Sequence, residues 1–230
     1  MTKCVITIAV GKPYYLELAE NLLRSFLLWN AENDICFLLL TDAPGYYKKY
    51  VNESKVIIEQ IHLSESDKSF TSKFKLFDHA IAEENLFVDC DCIIYRDISF
   101  VFEAFAGRNF AAIGNAISEG DFFCKVDETI KQFGLSSMPK FVGCIYYFKK
   151  NKIVEEIFRK AIEFKNDYDG LGFVRLNGKE NEEPLLSVAM ALNGESAIPN
   201  DGTIKADMMY YGKLSSNILS GYARLTEPVI

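Results

Sequence analysis

Leu86-Phe87-Val88-Asp89-Cys90-Asp91-Cys92-Ile93-Ile94-Tyr95 places two carboxylates, two residues apart, inside an otherwise apolar run. The apolar flanks read as a buried strand of a parallel-type sheet. In a strand, residues i and i+2 share a face and lie about 6–7 Å apart at ~3.3 Å per residue. Asp89 and Asp91 are therefore expected on one side, and Cys90 and Cys92 on the other. Two like charges at the end of a buried strand are costly unless a cation compensates them. A hard divalent ion that also carries phosphate oxygens is the usual compensation.

Outward from that run, the chain alternates. Cys4 to Val10 is a continuous β-branched run, a buried strand ending at Gly11. A helix is expected from about Pro13, a residue suited to the first helical turn, with Leu16, Leu18, Ala19, Leu22, Leu23, Phe26 and Leu27 at helical spacing. Ile35 to Leu40 reads as a second strand, followed by the turn residues Thr41 to Gly45. Tyr46 to Val51 reads as a short helix and Val56 to Leu63 as a third strand; a helix over Ser72 to Ala82 leads into the opening run. Beyond it, Ser99 is a candidate N-cap for a segment reaching Phe105. Phe110 to Gly114 and Phe141 to Phe148 are strands, while Lys152 to Phe164 and Glu182 to Leu192 are helices. Glu119 to Met138 has no clear pattern, Asn166 to Glu180 reads as a loop, and the tail carries Met208-Met209-Tyr210-Tyr211 without periodicity. Such alternation implies an α/β layered fold with a mixed, mostly parallel sheet flanked by helices. Ligands of such sheets lie beyond the carboxyl ends of the strands. Gly11, Thr41-Asp42 and Asp89/Asp91 all fall there.

With 230 residues, the chain is long enough for one large domain over 1–230. A formal net charge of −7 argues against a nucleic-acid partner, which calls for a basic surface. The six cysteines form no CxxC pair, and His62 and His79 have no zinc-finger spacing. Cys4, Cys36 and Cys144 read as small core residues, and the usage suits a reducing compartment. Lys12 and Pro13 follow the first apolar run without a cleavage signature, and no apolar stretch reaches the ~18 residues of a membrane span. A cytoplasmic location is expected.

Ser72-Lys73-Phe74-Lys75-Leu76-Phe77-Asp78 followed by Leu86 to Ser99 resembles the core block of the GT-A nucleotide-diphospho-sugar transferases. The nearest likeness is to glycosyltransferase family eight, the glycogenin and bacterial galactosyltransferase type. The resemblance spans roughly residues 1–195 and continues through the strand at Phe141 to Phe148 and the helix start Glu182-Glu183-Pro184. A bare DxD occurs by chance; its place in this order of elements gives it weight. The resemblance implies a nucleotide-binding half over about 1–100 and an acceptor and sugar half over about 101–230. It implies Mn²⁺ or Mg²⁺ on Asp89 and Asp91, with Asp89 also near the ribose. It further implies a nucleoside diphosphate sugar, a UDP-sugar, as donor, and a saccharide, lipid or protein hydroxyl as acceptor.

Lys73 matches the family's helix lysine, with Lys75 two residues on; either would meet the diphosphate or sugar, and either is equally readable as a solvated lysine. Ala9, Val10 and Gly11 match the strand end that approaches the nucleoside. Tyr14 or Tyr15 would stack on the base, or serve as a core or surface aromatic. Thr41 and Asp42 would touch the base edge, or simply form a turn. Glu182 and Glu183 match the family's acidic pair beside the sugar, orienting it or assisting at its anomeric carbon. Acidic residues in a first helical turn are also favoured by the helix dipole alone. Asp169 and Asp201 are weaker acidic candidates. Two features depart from the family. Phe141-Val142 replaces the polar turn before Gly143, and no histidine follows His79 to serve as third metal ligand, leaving Asp201, Asp207 or water. The expected activity is metal-dependent transfer of a hexose, with retention at the anomeric centre suggested by the family alone. A non-catalytic sugar-nucleotide-binding relative is the alternative. A nucleotidyltransferase falls behind, because Gly11-Lys12-Pro13 is too short for a Gly-rich basic loop.

Overall fold

The computed structural model describes residues 1–64, 67–205 and 213–226. Its core is a six-stranded sheet in the order β3-β2-β1-β4-β6-β5. The strands are β1 (Lys3–Ala9), β2 (Ile35–Thr41), β3 (Val56–Gln60), β4 (Glu84–Val88), β5 (Phe110–Ile117) and β6 (Met138–Lys149). β1 pairs in parallel with β2 and β4, and β2 with β3; β6 runs antiparallel to both β4 and β5. The mixed, mostly parallel sheet expected from the sequence is present.

Both faces are covered, which is why β1 and β2 are apolar at successive residues. Val5, Ala9, Phe37 and Leu39 pack under helix α1 (Pro13–Trp29), whose Ala19, Leu22, Leu23 and Phe26 recur at three- and four-residue spacing. Cys4, Ile6, Ile8, Leu38 and Leu40 belong to the opposite core. There they join α5 (Lys152–Lys165), through Val154, Ile157, Phe158 and Ala161, and the almost wholly buried α6 (Glu182–Leu192). Asn151 caps α5 by accepting from Val154 N–H at 3.0 Å. Short helices α2 (Leu76–His79), α3 (Ser99–Ala104) and α4 (Val126–Phe133) complete the chain order, with a hairpin of β7 (Lys213–Asn217) and β8 (Tyr222–Thr226). β5 bulges between Ala112 and Gly114, where Gly114 lies so close to β6 that a Cβ would sit 1.9 Å from the Lys140 carbonyl.

Three expectations are corrected. The strand of the opening run ends at Val88, and Asp89 to Tyr95 is a turn followed by irregular chain. Asp89 N–H still donates to Cys144 O at 2.9 Å, extending the pairing with β6 by one bond, and Cys92 N–H then folds back onto Asp89 O at 3.0 Å. Beyond it, Ile94 N–H is taken by Ser25 Oγ and Ile98 N–H by Asn30 Oδ1, both on or beside α1, so no strand partner is needed. The alternation that set Asp89 and Asp91 against Cys90 and Cys92 does not apply. The helix over Ser72 to Ala82 is instead a 3-10 turn at Phe70–Lys75 joined to α2, with Thr71 to Phe74 all buried. The short helix expected at Tyr46 to Val51 is present, as a 3-10 helix at Pro44–Tyr50. Ser99 is not the cap of α3 but its first residue, its N–H held by Asp97 Oδ1 at 2.7 Å. The run at 208–211 and Asp207 lie outside the described residues.

Candidate active site

β2, β1 and β4 are neighbours running the same way, so their carboxyl ends form one edge of the sheet. At the β1–β2 end, Gly11 takes φ +88°, a left-handed backbone suited to glycine, and its N–H donates to Asp42 Oδ2 at 3.0 Å. A cavity of about 250 Å³ opens there, lined by Gly11, Lys12, Pro13, Leu16, Asp42 and Ala43. Lys68 reaches Asp42 at 3.5 Å. Ala9 is buried and Val10 half-buried, so Ala9 offers this edge its backbone rather than its side chain. Thr41 is fully buried, and its Oγ1 accepts from Ala43 N–H at 3.2 Å, which is the turn role. Tyr14 follows the cavity-lining Pro13 and is 62% exposed, in ring contact with Tyr15.

At the β4 end the buried 3-10 turn delivers Lys73, while Lys75 points outward. The Lys73 ammonium meets three oxygens: Glu182 Oε1 at 2.7 Å, the Gly143 carbonyl at 2.7 Å and Asp89 Oδ2 at 3.2 Å. It also lies over the rings of Phe87 and Tyr146, at 5.2 and 5.7 Å from their centroids. Burial works against its charge, but the carboxylates of Asp89 and Glu182 outweigh that and raise its pKa. Asp89 is pushed up to about 6, first by desolvation and then by the charges of Glu182 and Asp91, with Lys73 opposing; its side chain retains 30% exposure. Asp91 is exposed.

α6 presents its acidic pair to the same point. Asn181 caps the helix, accepting from Glu183 N–H at 3.2 Å. Glu182 Oε1 takes the Lys73 ammonium and the Tyr146 hydroxyl, the latter at 2.8 Å, whereas its buried Oε2 has no partner among the described residues. Glu183 Oε1 accepts from Gly143 N–H at 2.7 Å, and burial beside Glu182 lifts its carboxyl to about 7. Gly143 is the pivot: a Cβ there would stand 2.5 Å from both Glu182 Oε1 and Tyr146 OH, and 3.1 Å from Glu183 Oε1. The structure thus gathers Lys73, Asp89, Glu182 and Glu183 around Gly143, with Asp91 two residues from Asp89. Asp169 and Asp201 pair locally instead, with Arg175 and Thr203. Reading the sequence missed Tyr146, which hides inside the apolar run of β6, and the orphaned Glu182 Oε2.

An ion of the magnesium type asks a protein for one or two carboxylates and takes its remaining places from water and phosphate. Asp89 and Asp91, one and three residues past β4, match that demand. Among the described residues, no group of three His, Cys, Asp or Glu side chains is placed to hold a metal. An ion held there would take most of its places from water or a ligand.

The sheet order and the helices on both faces are those of the GT-A fold. Solved structures with this fold include the glycosyltransferase GlyE of Streptococcus pneumoniae TIGR4, at 15% identity and TM-score 0.58 over 86% of this chain and 46% of that one. The galactosyltransferase LgtC in complex with donor and acceptor sugar analogs is similar at 13% identity and TM-score 0.58, over 86% and 73% of the two chains. An active-site variant of LgtC gives 11% identity and TM-score 0.60. The chain thus spans a little under half the length of the GlyE structure. At such identities the likeness is one of fold. No protein-family model and no curated protein sequence matches the chain. No helix among the described residues is long and apolar enough to cross a membrane.

Proposed function

We propose that the chain is a glycosyltransferase that takes a hexose from a UDP-sugar and passes it to a hydroxyl of a saccharide, lipid or protein acceptor. The observation that carries this reading is the Lys73 ammonium held between Asp89, Glu182 and the Gly143 carbonyl at the carboxyl edge of the sheet. Residues 1–100 supply the nucleotide half and 101–230 the sugar and acceptor half.

The cavity beside Gly11 and Asp42 takes the nucleoside, and the exposed Tyr14, next in the chain after the lining Pro13, takes the base. Asp89 and Asp91 hold Mn²⁺ or Mg²⁺. When bound, the ion stabilises the charge that develops on the leaving diphosphate. Lys73, paired with Asp89 and Glu182, holds those carboxylates at the edge where the diphosphate lies. Glu182, anchored through Oε1 with its buried Oε2 unpartnered among the described residues, orients the sugar. Assistance at the anomeric carbon then falls to Glu183, whose carboxyl burial raises to about 7. Retention at that carbon follows the family pattern.

The test is UDP release from a panel of UDP-sugars with Mn²⁺ present. Turnover of at least one donor, lost in Glu182→Gln, is expected. UDP binding without turnover of any donor would instead identify a non-catalytic sugar-nucleotide binder, a reading favoured by Phe141-Val142.

A further inference from the structure

We propose that Tyr146 is the positioning residue of this site, fixing the Glu182 carboxylate, and through it Lys73, in the orientation that sugar transfer uses; the inference rests on the function proposed above.

Tyr146 lies mid-strand in β6, paired with Phe87 of β4 on one side and Ala112 of β5 on the other. Its ring cannot swing. It stacks on Phe87 at 5.3 Å and 25°, meets Phe141 edge-on at 5.7 Å and 89°, and lies 5.9 Å from Phe110. The hydroxyl at the end of this clamped ring donates to Glu182 Oε1 at 2.8 Å. Lys73 approaches the same oxygen at 2.7 Å. Two donors converging on one oxygen, one of them rigid, decide which oxygen points away. That oxygen is Oε2, buried and unpaired among the described residues.

A carboxylate held by Lys73 alone could rotate, because an ammonium is a point charge on a flexible stem. The tyrosine removes that freedom. Gly143 makes the arrangement possible, since any side chain there would push the Tyr146 hydroxyl and Glu182 Oε1 apart. Tyr146 touches no reacting atom in this account; it acts through Glu182. A misplaced group near the reacting centre costs rate far more than it costs affinity for the remote nucleotide.

The experiment uses the full chain and Tyr146→Phe, which keeps the ring and its stacking. UDP release from the best donor is measured per UDP-binding site, the sites being counted by calorimetry, so that a merely less folded variant would show no change. In parallel, urea unfolding of wild type, Tyr146→Phe, Glu182→Ala, which removes the accepting oxygen, and the double variant forms a cycle. The expected result is a fall in kcat per site of about tenfold or more, with UDP affinity changed less than about twofold. It also includes losses in the unfolding constant that fall short of additivity by about fivefold. An unchanged kcat per site, or additive losses, overturns the proposal. If the wild type turns over no donor at all, the transferase reading fails by itself, and the cycle alone decides whether Tyr146 holds Glu182.

Discussion

Glu183→Gln should stabilise the protein, and only at the pH values where Glu183 is ionised. Burial beside Glu182 carries the Glu183 carboxyl from its ordinary 4.5 to about 7. The folded protein therefore holds this proton more tightly than the unfolded chain does. The stability linked to the protonated form is fully present below about pH 4.5 and is lost as pH rises through about 7. At about 1.4 kcal/mol per pH unit the loss reaches about 3 kcal/mol at most, and the side chain's partial exposure brings the expected figure down to about 1.5–3 kcal/mol. Glutamine keeps the oxygen that accepts from Gly143 N–H and carries no charge at any of these pH values. Urea unfolding of both proteins in EDTA, at pH 5, 6.5 and 8, reads the difference directly. The variant's advantage should be small at pH 5, about a quarter of its full value, and should grow to that full value at pH 8. Asp89 is raised in both proteins and cancels in the comparison. Parallel stability curves, or a wild type that gains on the variant as pH rises, would refute the electrostatic account of this acidic pair.

Other substitutions separate the parts of the site. Lys73→Met leaves Asp89 and Glu182 without their shared cation and should cost about 3–5 kcal/mol in urea unfolding; a loss below about 1 kcal/mol would mean that the ammonium is not the keystone. Gly143→Ala places a methyl 2.5 Å from Glu182 Oε1 and Tyr146 OH, so a stability cost of about 1–3 kcal/mol should accompany a larger fall in donor turnover. Tyr14→Ala, at a 62% exposed position, should leave stability within about 0.5 kcal/mol of wild type. The same change should weaken UDP binding in calorimetry by roughly tenfold if the ring stacks on the base.

The strands were legible because β1 and β2 are apolar at successive residues, the signature of a sheet covered on both faces. The ends of those strands, and hence the edge that carries the site, followed from element order alone. The local form of the Asp89 turn did not. Ile93 and Ile94 look like strand residues, yet the Ile94 amide is satisfied by Ser25 on α1, a partner 69 residues away. The helix before β4 failed for a related reason: Thr71 to Phe74 are buried in succession, so no amphipathic stripe exists to specify a regular helix. Lys73 drew notice only through its resemblance to a family pattern; nothing in its neighbours announces a buried ammonium. The direction of β6 and the role of Tyr146 are long-range facts, and the β7–β8 hairpin, exposed along β7, has no apolar alternation to mark it.

The claim on which the rest depends is that Asp89 and Asp91 hold a divalent ion that carries the diphosphate. Asp91 is exposed, so Asp91→Ala should leave the fold intact. Calorimetric titration of UDP into wild type and Asp91→Ala, each with Mn²⁺ and with EDTA, tests the claim most directly. The account predicts wild-type binding that strengthens markedly with Mn²⁺, and a variant in which that gain disappears. Metal-dependent UDP binding that survives in Asp91→Ala would contradict it.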